Sequence, residues 1–245
     1  MALVLGAAAA SIPGAAADRG IGLSASPLRL TLRGAAARTV LVRNPGRQTL
    51  RVDVARAGFR RSLRGKPQVR PAGSAAAWLR LSPRRFRLAP GAKTTLHVVA
   101  APARRAAPGD HPAVALLTTR PLGVHHVRVR VRVGILVDLR VRGRIVRRLD
   151  ARALSVRRRG ALRLLDLRLV NRGNVTERLG ADGLRLGLIR RRRLATLRPA
   201  PRELLPHSTG IAVFAYRGRL RGPVLARVEL RRSVRGPRRG FHVRL

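Results

Sequence analysis

Apolar residues recur at every second position along most of this chain, and runs with helical spacing are hard to find. Leu28, Leu30 and Leu32 alternate with Arg29, Thr31 and Arg33. The pattern returns at Leu50, Val52 and Val54, at Leu79 and Leu81, at Phe86 and Leu88, and at Leu96 and Val98. Successive side chains of an extended strand point to opposite faces, so each run predicts a half-buried strand with one aliphatic face. Turn chemistry separates the runs at Asn44-Pro45-Gly46, Pro71-Ala72-Gly73, Ala89-Pro90-Gly91 and Pro108-Gly109-Asp110. Short strands punctuated in this way predict an antiparallel sandwich.

The strongest alternation covers 127–141. Val127, Val129, Val131, Val133, Ile135, Val137, Leu139 and Val141 hold the odd positions, with Arg128, Arg130 and Arg132 between them. Such a stretch would extend about 50 Å, well beyond the usual strand of roughly 17–20 Å. A bend or bulge near Gly134 is therefore expected, with the segment closing a first sandwich.

A second unit echoes the first. Asn44-Pro45-Gly46-Arg47-Gln48-Thr49 and Asn171-Arg172-Gly173-Asn174-Val175-Thr176 share an N-x-G-x-x-T pattern after a strand. SPRRFRLAPGAKTTLHV at 82–98 finds a shortened echo in APRELLPHSTGIAVF at 200–214, and GDHPAVALLT at 109–118 in GPVLARVEL at 222–230. Matches in the same order point to tandem copies of one fold. The expected fold class is all-β: two tandem immunoglobulin-like β-sandwich domains, at about 20–142 and 146–245, after an N-terminal signal segment. The joint at Arg142-Gly143-Arg144 is short, which favours a fixed angle between them. Val234 to Gly240 reads as a loop before a last strand at Phe241, Val243 and Leu245.

Residues 2–17 are small or apolar without a charge, broken at Pro13-Gly14 and followed by Ala15-Ala16-Ala17 and Asp18. That order resembles a secretory h-region and cleavage site, so residues 1–17 are expected to be a signal peptide. The run is too short to span a bilayer, and no later stretch qualifies. The expected location is outside the cytoplasm: periplasmic, cell-wall-associated or secreted.

The 245 residues carry 54 Lys+Arg against 10 Asp+Glu, a formal charge of +44. Only Lys66 and Lys93 are lysine. Residues 1–142 hold 26 basic and 4 acidic residues and 143–245 hold 28 and 6, so each part nets +22 and no basic arm stands apart. Arginine fills most solvent-facing slots, as a chain-wide compositional bias would produce. Such a surface attracts polyanions non-specifically and in a salt-dependent way. The densest cluster, Arg190, Arg191, Arg192 and Arg193, reads as an exposed hairpin tip and as a candidate anion contact.

Chemistry is scarce by comparison. Cysteine is absent, which excludes disulfides, thiolate metal sites and a thiol nucleophile. Ser24 and Ser26 in GLSAS lack the closing glycine of a nucleophile elbow. No H-E-x-x-H or phosphate-loop motif occurs. His125-His126 would point to opposite strand faces, and Asp110-His111 reads as turn chemistry. No catalytic residue, metal or cofactor is expected. Aromatics are limited to Phe59, Trp78, Phe86, Phe214, Tyr216 and Phe241, with Trp78, Phe86 and Phe214 expected inside strands, too few for a base-stacking platform. Nucleic acid is expected only as a non-specific partner.

The segments SASPLRLTL, TVLVRNPGRQTLRV, WLRLSPRRFRLAPGAKTTLHV, PGDHPAVALLTT and RVRVRVGILVDLRV together resemble the N-terminal immunoglobulin-like module of bacterial envelope proteins. The nearest groups are the WxL-interacting proteins and, more distantly, the PapD-like periplasmic chaperones. The first resemblance implies peptidoglycan binding by the first module. The second implies that an arginine near the first strand and a lysine on the last strand of that module grip a client carboxylate, and no lysine stands on that strand here. Arg29 and one of Arg128, Arg130 or Arg132 occupy comparable places, although Arg29 also reads simply as an outward strand residue.

These readings converge on a non-enzymatic exported protein that recognises an envelope polymer or an envelope protein. A chaperone-type protein lending its 127–133 strand to a client is the alternative, and a basic nucleic-acid-binding protein the third. The chaperone reading requires an open edge on the first sandwich with Val127 to Val133 partly exposed.

Overall fold

The structure is a computed structural model that describes residues 22–71, 73–120, 129–180, 183–191, 193–218, 222–230 and 239–245. The expected signal segment, His125-His126, Val127, Arg128 and Arg192 lie outside these residues, as does most of the loop expected at 234–240. Strand follows strand: β1 Ser24–Ser26, β2 Arg29–Arg33, β3 Ala36–Arg43, β4 Leu50–Arg61 and β5 Pro67–Arg70. A single helical turn, α1 Ser74–Ala77, comes next, then β6 Leu79–Ser82, β7 Arg85–Leu88, β8 Lys93–Ala100, β9 Gly109–Thr119 and β10 Arg132–Val141. The second half continues with β11 Leu149–Arg159, β12 Leu162–Asn171, β13 Glu177–Leu179, β14 Leu184–Ile189 and β15 Arg193–Leu197. It ends with β16 Arg202–Leu204, β17 Thr209–Tyr216, β18 Pro223–Leu230 and β19 Gly240–Arg244.

These strands build two immunoglobulin-like sandwiches. In the first, a sheet ordered β1-β3-β8-β6 packs on one ordered β2-β10-β9-β4-β5, with β7 also on β4. The alternating residues meet between the sheets: Val40, Val42, Leu96 and Val98 from one, Leu30, Leu32, Leu117, Ile135, Val137 and Leu139 from the other. In the second, β11-β12-β17 packs on β15-β14-β18-β19, with β13 and β16 as a ribbon. Its core gathers Leu165, Leu167, Leu169, Leu184, Leu186, Leu188 and Phe214. The period-2 pattern is thus the physical origin of both cores, because burying one face of each strand removes its aliphatic side chains from water.

The repeated Asn turns are the same structure built twice. Asn44 is fully buried, and its Nδ2 donates to the carbonyls of Gln48, Leu88 and Ala89 at 2.8–3.1 Å. Its Oδ1 accepts from Gly46 N–H at 3.0 Å. Asn171 is also fully buried; it donates to Val175, Leu204 and Leu205 at 2.8–3.2 Å and accepts from Gly173 N–H at 2.9 Å. One side chain in each sandwich therefore ties its own turn to the opposite loop. The loops match as well: Gly91 takes φ 71° in the first, and His207 takes φ 51° at the corresponding place in the second.

Two expectations need correction. No bulge occurs at Gly134. β10 keeps one register with β9 from Arg132 opposite Thr118 to Val141 opposite Gly109. The strand starts at Arg132, so its length is ordinary and no bend is needed. Gly134 serves close packing instead, since a Cβ there would come to 3.3 Å from Val114 Cγ2. Trp78 is not a strand residue. It caps the C-terminus of α1, half-buried, with its ring edge-on to His111 at 5.0 Å.

Candidate functional site

The last strand of the first sandwich, β10, is paired unequally on its two sides. β9 accompanies it along its whole length, whereas β2 runs parallel beside it only from Leu136 to Arg140. Leu136 N–H donates to Leu28 O at 2.9 Å, and Gly34 N–H to Arg140 O at 2.8 Å. Backbone groups alternate direction along a strand. The even-numbered residues of β10 therefore face β2, and Thr119 N–H donating to Val131 O shows that the odd ones face β9. Continued upstream, this places the N–H and C=O of Arg132 and Gly134 on a side where no strand pairs among the described residues. The edge opens because the first strand changes sheets near Pro27. β1 pairs with β3 in the opposite sheet, and only β2 lies beside β10.

Side chains along the same segment open progressively. Ile135 is fully buried, Val133 and Val131 are half-buried, and Val129 is 43% exposed. An unpaired backbone row beside graded apolar side chains is what an added strand requires.

Beside this edge, the outward faces of β2 and β10 look onto the second sandwich across a cleft of about 280 Å³. Arg29 reaches Asp138 at 2.5–2.6 Å and Glu203 of β16 at 2.7 Å. Glu203 also receives Arg61 at 3.2 Å and lies 3.6 Å from Arg178. One step along, Arg140 grips Asp110 through two bonds of 2.5 and 2.9 Å, and Thr176 N–H from the second sandwich completes Asp110 at 2.8 Å. Arg147 pairs with Glu177 at 2.9–3.0 Å.

These contacts shift proton affinities in opposite directions. Burial pushes the Asp110 carboxyl up, but the bonds from Arg140 and Thr176 outweigh it and hold it below its ordinary value of 3.8. Burial dominates at Asp138 and raises it, with Glu203 and Asp110 adding repulsion against the pull of Arg29. Burial opposes the charge of Arg29, yet its bonds to Glu203 and Asp138 raise its pKa overall.

The arginines singled out from sequence do not converge. Arg29 is engaged by two carboxylates rather than simply pointing to solvent. Arg132 is exposed at the open end of β10, four residues before Leu136, the residue opposite Arg29. That is about 13 Å along the strand. Arg130 is exposed just before β10. Arg190 and Arg191 are exposed at the β14–β15 turn, and Arg193 opens β15. Asp110, Asp138 and Glu203 were not read as site residues, although Asp138 is the one acid interrupting the arginine face of 127–141. Among the described residues, no group of three or more His, Cys, Asp or Glu side chains is placed to hold a metal.

A joint fixes the two sandwiches around the cleft. Asn174 Nδ2 donates to Pro108 O at 2.9 Å and Arg144 O at 2.8 Å, and its Oδ1 accepts from Val146 N–H at 2.8 Å. Asp110 N–H donates to Asn174 O at 2.8 Å. A side chain at Gly109, which has φ 123°, would collide with Asn174. The hairpin between β4 and β5 makes a second contact, with Leu63 O accepting from Ile211 N–H at 2.9 Å.

No protein-family model and no curated protein matches the chain. Solved structures do. The chaperone–tip adhesin complex of CFA/I fimbriae biogenesis matches over 91% of this chain and 98% of that one, with a TM-score of 0.53 and 9% identity. The class 5 fimbriae chaperone CfaA matches over the same shares with a TM-score of 0.51 and 9% identity. No family match accompanies the WxL-interacting resemblance, and both of these solved structures contain fimbriae chaperones. At this identity the likeness is one of fold: paired immunoglobulin-like sandwiches.

Proposed function

We propose that this is an exported, non-enzymatic chaperone-type protein that binds an envelope protein by adding β10 to an incomplete sheet of that partner. The observation that carries the reading is the open side of β10, where Arg132 and Gly134 present backbone groups unpaired among the described residues, beside half-buried Val131 and Val133. Main-chain bonds would supply affinity, and exposed Val129 with half-buried Val131 and Val133 would fill pockets in the partner. The solved structures that share the fold are fimbriae chaperones, one of them in a complex with a tip adhesin. Export agrees with the signal-like segment at 2–17, and no helix among the described residues is long and apolar enough to cross a membrane.

A protein partner is favoured because an open backbone edge suits strand addition, and because Arg29, the candidate carboxylate grip, is already neutralised while Arg130 and Arg132 stay exposed. Arg29 spends its donors on Asp138 and Glu203. The carboxylate grip implied by the chaperone resemblance would need those pairs to exchange, so the backbone edge carries the binding here.

The test is a substitution that blocks strand addition and little else. Proline at Arg132 removes an N–H that faces the open side and leaves the β9 ladder intact. A photo-crosslinker at Val133 is expected to capture an exported protein, and Arg132→Pro is expected to abolish that capture while the purified chain keeps its melting temperature. Capture that survives Arg132→Pro would overturn the reading.

A further inference from the structure

The outward face of the sheet β1-β3-β8-β6 departs from the rest of the surface. Arginine makes up 52 of the 245 residues. It holds exposed positions on other strands, as at Arg29 and Arg33 of β2, Arg51 of β4 and Arg85 and Arg87 of β7. On this face the strand registers set the side chains in rows. Ser26, Leu41 and Thr95 form one row, and Thr39, His97 and Ser82 the next. All six are exposed, and none is an arginine, a lysine or an acid. A third row adds Ala37 and Val99, with Arg80 at its corner. At the opposite end of the face Arg43 stands beside Lys93.

The cleared rows also carry apolar surface, with Leu41 46% exposed and Val99 39% exposed. An acidic or polyanionic partner would be met better by arginine, since every guanidinium kept would gain a counter-charge. A contact between identical copies is different. Each charge there is opposed by its like, so a chain of charge +44 can meet itself closely only where its surface is cleared of charge.

We infer that this face pairs with the same face of a second copy of the chain, sheet on sheet across a two-fold axis. An axis in the contact plane and perpendicular to the strands lays β3 on β3 and β8 on β8 in opposite directions. Passing between the two central rows, it sets Leu41 over Thr39 and Thr95 over His97 of the other copy. Arg43 and Lys93 of each copy then lie over Ala37 and Val99 of the other, at opposite ends of the contact. Arg80 stays at the rim, where a long side chain keeps its charged head in water. β3 and β8 have 8 residues each, so the face is about 26 Å long, with strands about 4.8 Å apart. It offers roughly 400–500 Å² per copy, at the low end for a specific contact, so the dimer is weak, with a dissociation constant on the order of 100 μM. The face lies on the sheet opposite the one that holds β10, so the inference does not depend on strand lending, and either can fail alone.

The full chain is followed by sedimentation equilibrium from about 10 to about 500 μM, at about 0.1 M and about 1 M sodium chloride. Screening the charge on each copy is expected to tighten the dimer about tenfold or more, opposite to the salt dependence of a polyanion contact. Leu41→Arg is expected to weaken the dimer about tenfold or more, whereas Val69→Arg, at a comparably exposed apolar position on β5, leaves it unchanged. Thr95→Arg makes the same test should Leu41→Arg fail to fold. A chain that stays monomeric at the higher salt would overturn the proposal. So would a dimer that Leu41→Arg and Thr95→Arg leave intact, or that Val69→Arg weakens equally. A dimer lost on Arg132→Pro would place the contact at the open edge of β10 and overturn it too.

Discussion

The turns after β3 and β12 begin alike and end differently. Asn44 and Asn171 make the same four bonds in their respective sandwiches. Three residues later the copies part. Arg47 is exposed, whereas Asn174 bonds to Pro108, Arg144 and Val146 and joins the sandwiches. Thr176 likewise donates its N–H to Asp110 across the cleft, while Thr49 is exposed. The shared part of the motif belongs to folding, and the divergent part to the joint that sets the cleft beside β10. What each copy does is therefore read from where its turn lies, not from the motif.

The largest effect expected from this comparison falls on the shared part. Asn44→Ala and Asn171→Ala each strand three carbonyls in a buried turn, at a cost of about 3–4 kcal/mol. Denaturant midpoints should fall similarly for the two variants, and a tolerated change at either site would break the equivalence. A smaller and one-sided effect belongs to the divergent part. Asn174→Ala should cost about 1–2 kcal/mol and widen the distribution of sandwich–sandwich angles in solution scattering, while Arg47→Ala stays within about 0.5 kcal/mol. Matching behaviour of those two variants would remove Asn174 from the joint.

The smallest effect is the pH dependence of the cleft. The Asp110 carboxyl is held below 3.8, so its contribution is fully present above that value and is lost as pH falls from 3.8 through its folded-state pKa. The stability difference between the unaltered chain and Asp110→Asn should therefore be flat above 3.8 and shrink below it. Asp138 is raised, so its contribution has the opposite sign: present below 3.8 and lost as pH rises through its folded-state pKa. Against Asp138→Asn, the unaltered chain should gain stability as pH falls toward 3.8. Parallel profiles for the two variants would contradict the opposing environments assigned to these carboxylates.

Much of the fold was legible because one face of most strands is buried. Leu30, Leu32, Leu96, Val98, Ile135, Val137 and Leu139 are core residues, and their spacing announced it. The Asn turns were legible as a repeat, although their burial was not, since N-x-G also marks an ordinary exposed turn. The bulge at Gly134 was misread because alternation measures which face is apolar, not where pairing begins. Val129 keeps the rhythm of β10 yet precedes it. The cleft was the least legible part. Arg29, Asp138 and Glu203 are brought together from β2, β10 and β16, and a sequence in which arginine stands almost everywhere does not mark the arginine that meets an acid.

Hydrogen exchange of the purified partner complex, read at the amides of β10, bears most directly on strand lending. The account predicts that the Arg132 and Gly134 amides are open to exchange in the free chain and become protected in the complex, while the edge strand β19 is unchanged. Protection that appears at β15 or β19 and leaves Arg132 and Gly134 exchanging would contradict it.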